Sequence, residues 1–130
     1  MSRKRVVITG VGGLTSLGIG IDKTWEGLIQ GRSGIANVCR FDASAFATRF
    51  AGECREYDAA NFFPKIESKK LDIFTQYAVL AADEALKDSR LDLEACDRDR
   101  VGCIMGSGIG GINELETMHS VYLEKGVSRI

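Results

Sequence analysis

Histidine, proline and tryptophan each occur once in the 130 residues, as His119, Pro64 and Trp25. One histidine cannot furnish a histidine-rich metal centre. The four cysteines, Cys39, Cys54, Cys96 and Cys103, include no Cys-x-x-Cys pair. Neither a zinc site nor a redox dithiol is therefore expected, and no metal or cofactor is assigned. Cys103 lies in an apolar run, where an inert buried thiol is expected. An excess of charge is also missing. Lys plus Arg number 17 and Asp plus Glu 18, for a net charge of −1, which gives no reason to expect nucleic acid or an anionic membrane as partner. No apolar run approaches the roughly 20 residues of a membrane-spanning helix. Ser2-Arg3-Lys4-Arg5 before Val6-Val7-Ile8 looks like the start of a secretory signal. Thr9, Gly10, Gly12 and Gly13 soon break it, and no small-residue cleavage site follows, so a cytoplasmic, reduced setting is expected.

Glycine is what the chain has in quantity, 15 residues, concentrated in two loops. Val101-Gly102-Cys103-Ile104-Met105 reads as a buried strand. It runs into Gly106-Ser107-Gly108-Ile109-Gly110-Gly111 and then a helix from Ile112 to Leu123. Earlier, Arg5–Thr9 reads as a central strand, followed by a glycine-rich turn over 10–20. Asp22 is the expected N-cap of a helix to Gln30, with Trp25, Leu28 and Ile29 inward and Gly31 as its stop. Phe50–Arg55 is a candidate short strand within an irregular excursion, 33–61, that can hold a small hairpin. The longest helix is expected over 67–89, with Leu71, Phe74, Ala78, Ala81, Ala82, Ala85 and Leu86 at helical spacing. The order strand, helix, insertion, helix, strand, helix is α/β with parallel neighbours. Two or three strands make a thin sheet, so the chain is expected to be part of something larger.

Both loops approach the dinucleotide fingerprint. Gly106-x-Gly108-x-x-Gly111 matches its spacing, but no acid stands about 20 residues on to hold a ribose. Glu114 and Glu116 also open the next helix, where they oppose a pyrophosphate. Gly10-x-Gly12 has Thr15 in third place, and Arg32 keeps an NADP reading open. The plainer reading of both loops is a strand turned tightly against helices. Lys65, Lys69 and Lys70 form a basic patch at a helix start, either a solvated face or a dock for an acidic partner. Thr9, Thr15, Ser16 and Ser107 have no histidine placed to activate them. His119 reads as an ordinary surface or core residue.

Taken together, Arg5-Val6-Val7-Ile8-Thr9-Gly10, Thr24-Trp25, Gly31-x-Ser33-Gly34-Ile35, Phe41-Asp42, Phe50-Ala51-Gly52, Lys69-Lys70-x-Asp72-x-Phe74, Ala81-Ala82 and Gly106-Ser107-Gly108-Ile109-Gly110-Gly111 form an ordered set. It resembles the amino-terminal part of the elongating β-ketoacyl-acyl carrier protein synthases of type II, condensing enzymes of the thiolase superfamily. The resemblance covers nearly the whole chain. It implies that residues 1–130 are an incomplete N-terminal portion of a β-ketoacyl synthase domain, from the N-terminal half of an α-β-α-β-α layered fold, normally a homodimer. It implies decarboxylative Claisen condensation of an acyl-enzyme with malonyl-acyl carrier protein, in fatty acid elongation. Acyl carrier protein and acyl and malonyl thioesters are the implied partners. The family's cysteine nucleophile and two histidines match nothing here, so no catalytic residue is assigned and the chain alone is expected to be inactive. Ile109, with Gly108, matches the gate of the acyl pocket. Lys69 and Lys70 match carrier-docking positions, while Ile66 stands where a further basic residue is common. The turn Thr15-Ser16-Leu17-Gly18 lacks the relatives' proline. An NAD(P)-binding module and a non-catalytic partner of the chain-length-factor kind are the alternatives.

Overall fold

The computed structural model describes residues 3–130, which divide into two compact units. The first comprises residues up to 57 and 80–96, the second 58–79 and 97–130.

In the first unit the glycine-rich turn folds into a miniature ribbon of β1 (Leu14–Thr15) and β2 (Gly18–Ile19), antiparallel, with Leu14 opposite Ile19. Helix α1 (Ile21–Ile29) follows directly. Its N-cap is Gly20, at φ +95°, and not Asp22, which sits in the first turn. The predicted stop at Gly31 is present. Gly31 takes φ +65°, its N–H donates to Leu28 O at 3.0 Å, and Arg32 N–H donates to Gly27 O at 2.9 Å. This Schellman pair closes the helix's last free carbonyls. The inward face differs from expectation. Thr24 and Gly27 are buried, whereas Trp25, Leu28 and Ile29 are exposed. The helix meets the ribbon through small groups. Thr24 Oγ1 lies 2.9 Å from Thr15 Oγ1, and Leu17 packs where a Gly27 side chain would stand.

The excursion does contain a hairpin: β3 (Ile35–Asn37) pairs antiparallel with β4 (Phe50–Gly52), Ala36 opposite Ala51. Beside it Glu53 gathers the incoming loop. Its carboxylate accepts from Cys39 N–H at 3.0 Å, Cys39 Sγ–H at 3.0 Å and Arg40 N–H at 3.2 Å, and pairs with Arg55 at 3.5 Å. The Cys39 thiol bond, with the amides and Arg55, holds the Glu53 carboxyl below its ordinary 4.5, and the same bond raises the thiol. Because folding lowers the acid's pKa, its stabilisation is complete above pH 4.5 and is lost as pH falls through the lower folded value. The Cys39 and Arg40 amide proton resonances should therefore move together on acidification. In Glu53→Gln that titration should vanish.

In the second unit α2 (Lys65–Ser68) is followed by a break and then α3 (Ile73–Ser89), which continues into the first unit. The single helix expected over 67–89 is thus interrupted at 69–72. The cause is Gln76, buried at 6% exposure. Its Nε2 donates to Ser68 O at 2.9 Å and Leu71 O at 2.7 Å, occupying carbonyls at the end of α2 and in the break. Helix α4 (Ile112–Lys125) starts at Gly111, as the glycine loop predicts.

The central parallel sheet is not formed. Among the described residues the only ladders are the two antiparallel pairs. Residues 5–9 and 101–105 carry no strand, and Val6, Ile8 and Ile104 are 94%, 85% and 95% exposed. Cys103, expected buried, is exposed. The reason is physical: an apolar run shows that a segment can be buried, but a strand exists only when another lends it hydrogen bonds.

Candidate functional site

The first glycine loop is occupied by the protein itself. Glu84, on α3, accepts from Gly13 N–H at 2.9 Å and Ile21 N–H at 2.7 Å. Asp88, one turn on, accepts from Val11 N–H at 2.9 Å. Acidic side chains thus hold the amides that a pyrophosphate would need. The loop glycines face the same helix: a Cβ on Gly12 would stand 2.1 Å from Ala81 O, and one on Gly10 2.2 Å from Ala85 O. These glycines serve backbone-to-helix contact, and the loop offers no phosphate cradle. The signal was present in the sequence, since Ala81, Glu84, Ala85 and Asp88 recur at three and four residues on one helix face. Ser16, a candidate hydroxyl, fills the space beside Gly34 and Gly52 in the hairpin.

The second loop is different. No heavy atom lies within 4 Å of where a Cβ would stand on Gly106 or Gly108. Ile109 is 79% exposed. Beyond it the backbone is braced. Gly110, at φ +77°, lies against the Phe74 ring, where a Cβ would stand 3.4 Å from Cζ, and Gly111 lies against Asp72. Phe74 and Asp72 belong to the motif quoted above, but spacing placed Phe74 only on the helix stripe and gave Asp72 no role. Ile109 is thus an apolar side chain on open loop backbone beside a braced glycine, and the charged group set against that loop, the Asp72 carboxylate, does not favour a phosphate.

Lys69 and Lys70 lie on the break between α2 and α3, both exposed and, among the described residues, without an ion pair. The expectation that they stand at the start of the long helix is not met. Lys69 is the C-cap of α2, the end that favours a cation. Ile66, 74% exposed, leaves the patch with Lys65, Lys69 and Lys70. His119 faces an apolar groove of about 530 Å³ with Leu115, Met118, Tyr122 and Ile130. No cysteine, serine or threonine lines it.

The model of the β-ketoacyl synthase N-terminal domain matches residues 3–129. The chain belongs to the β-ketoacyl synthase family. The 3-oxoacyl-acyl-carrier-protein synthase 2 of Vibrio harveyi is 42% identical over 130 residues, and that of Synechocystis 41% over 129. These alignments take in 100% and 99% of the chain but 31% of each relative, so the chain spans about a third of their length. Among solved structures, the ishigamide ketosynthase/chain length factor superposes with a TM-score of 0.72 at 28% identity, over 96% of this chain and 31% of that one. A type II PKS acyl-carrier protein in complex with its ketosynthase, bound to the hexaketide, gives 0.74 at 28% identity, over 99% and 34%. The β-ketoacyl synthase chain is thus a mixed helix and sheet structure of ketosynthase type.

Proposed function

We propose that this chain is the N-terminal portion of an elongating 3-oxoacyl-acyl carrier protein synthase. The intact protein extends a fatty acyl chain by decarboxylative condensation with malonyl-acyl carrier protein. The observation that carries this is the family match along residues 3–129, joined to relatives of about 40% identity named as synthase 2. The finer architecture proposed is the N-terminal half of the layered α-β-α-β-α fold in a cytoplasmic homodimer, with residues 5–9 and 101–105 entering its sheet. Nothing in 1–130 matches the nucleophilic cysteine or the two histidines. The chemistry is assigned to the two thirds of the relatives' length that this chain does not span, and the 130 residues alone are proposed to be inactive.

Within the chain two roles are proposed. Ile109, on the open backbone at Gly108, gates the acyl pocket. Lys69 and Lys70 dock the carrier protein, whose acidic surface they meet as point charges. The structural neighbour that holds an acyl-carrier protein with its ketosynthase supports that partner class.

The test is condensation by the full-length protein supplied with acyl- and malonyl-carrier proteins, read as release of carbon dioxide and product length. Absence of product, with a folded protein, would leave the chain-length-factor alternative in its place. In the same assay Lys69→Glu with Lys70→Glu should raise KM for the carrier substrates about ten-fold or more at low ionic strength, with kcat little changed. The effect should shrink as salt is added. An unchanged KM would remove the docking assignment.

A further inference from the structure

The glycine loop is asymmetric about Ile109. On its N-terminal side, Gly106 and Gly108 face open space. On its C-terminal side, every step is held. Gly110 has φ +77°, and a Cβ there would stand 3.4 Å from Phe74 Cζ and 3.7 Å from Cε1 and Cε2. Gly111 would place one 2.7 Å from Asp72 Oδ2 and 3.4 Å from Phe74 Cε1. Helix α4 then begins, with Ile112 N–H donating to Gly110 O and Leu115 N–H to Gly111 O, both at 3.0 Å. Asp72 Oδ2 is closed off from solvent and has no hydrogen-bond partner. A carboxylate oxygen in that condition costs stability, and it stands against Gly111.

We infer that Phe74 and Asp72 are positioning residues for acyl-chain specificity, which fix the Gly110–Gly111 hinge and with it the angle at which Ile109 meets the substrate's tail. This rests on the reading of Ile109 as the gate. Neither residue touches the reacting atoms. They act through the two glycines: Gly110 keeps its φ of +77° in contact with the ring, and Gly111 leaves the carboxylate the room that a Cβ would take. A gate free on one side and pinned on the other swings about the pin, so the pin sets how far it opens.

The test uses full-length enzyme and compares kcat/KM for a short and a long acyl-carrier protein. Phe74→Ala should narrow the ratio between them at least about five-fold, because apolar pockets discriminate chain length only while their walls hold position. Phe74→Tyr, which keeps the ring, should preserve the ratio. The Kd for the carrier should not change in either. A residue needed only for folding would lower both rates alike and leave the ratio intact. That result, in folded Phe74→Ala, overturns the inference. Should that variant not fold, Gly111→Ala, whose methyl would stand 2.7 Å from Asp72 Oδ2 and 3.4 Å from Phe74 Cε1, displaces the same brace and must move the ratio. An unmoved ratio there is equally fatal. Ile109→Phe separates the two layers of the argument. If it shifts chain length while Phe74→Ala does not, the brace is wrong and the gate stands. If neither shifts it, the gate has failed as well.

Discussion

Gly12→Ala should destabilise the protein by about 1–3 kcal/mol, the range for forcing atoms into a packed site that cannot yield. The new methyl would stand 2.1 Å from Ala81 O and 2.7 Å from Ala85 N, both backbone atoms of α3. A side chain could rotate aside, but a helix carbonyl cannot. The loop must therefore retreat from α3, and the retreat stretches the bonds from Glu84 to Gly13 and Ile21 and from Asp88 to Val11. Gly13→Ala is the control, one residue away, with nothing within 4 Å of its new methyl. It should stay within about 0.5 kcal/mol of the parent. Urea denaturation of the two variants measures the difference. Equal midpoints would mean that the loop does not lie against the helix.

Ile109→Phe should shorten the acyl chains accepted by the full-length enzyme. The loss of kcat/KM for long donors should be about 10- to 100-fold, with short donors near the parent value. The side chain is 79% exposed on backbone that makes no close contact at Gly108, so the larger ring is accommodated without disturbing the fold. Its added volume is met only by a substrate long enough to reach it. Product analysis by chain length reads the effect. A parallel fall for every donor would show general damage and remove the gating role.

The sequence made some of this legible and withheld the rest for identifiable reasons. The stop at Gly31 and the start of α4 at Gly111 were readable because a glycine at a helix end acts locally. The hairpin around Phe50–Gly52 was readable for a similar reason, a short β-prone run next to turn residues. The break after Ser68 was not. Lys69, Lys70 and Leu71 all have good helix propensity, and the interruption comes from the Gln76 amide reaching back eight and five residues. The face of α1 was misjudged because its contact runs through Thr24 and Gly27, where closeness of approach outweighs apolar bulk. The strands at 5–9 and 101–105 failed for want of partners, which no pattern within a segment can reveal. At the site, Ile109, Lys69 and Lys70 came from a family resemblance, and only geometry brought Phe74 and Asp72 to the glycines beside Ile109. The dinucleotide alternative at the first loop rested on glycine spacing, which is blind to the carboxylates that arrive from 70 residues away.

The Gln76 bridge also bears on how the proposed docking responds to the medium. A neutral amide neither gains nor loses a proton in the physiological range, and ions in solution barely weaken its bonds to Ser68 and Leu71. The ammonium groups of Lys69 and Lys70, carried on the turn it shapes, are fully subject to counter-ions. Changes in ionic composition should thus adjust the strength of the docking proposed for Lys69 and Lys70 while the turn that carries them keeps its form.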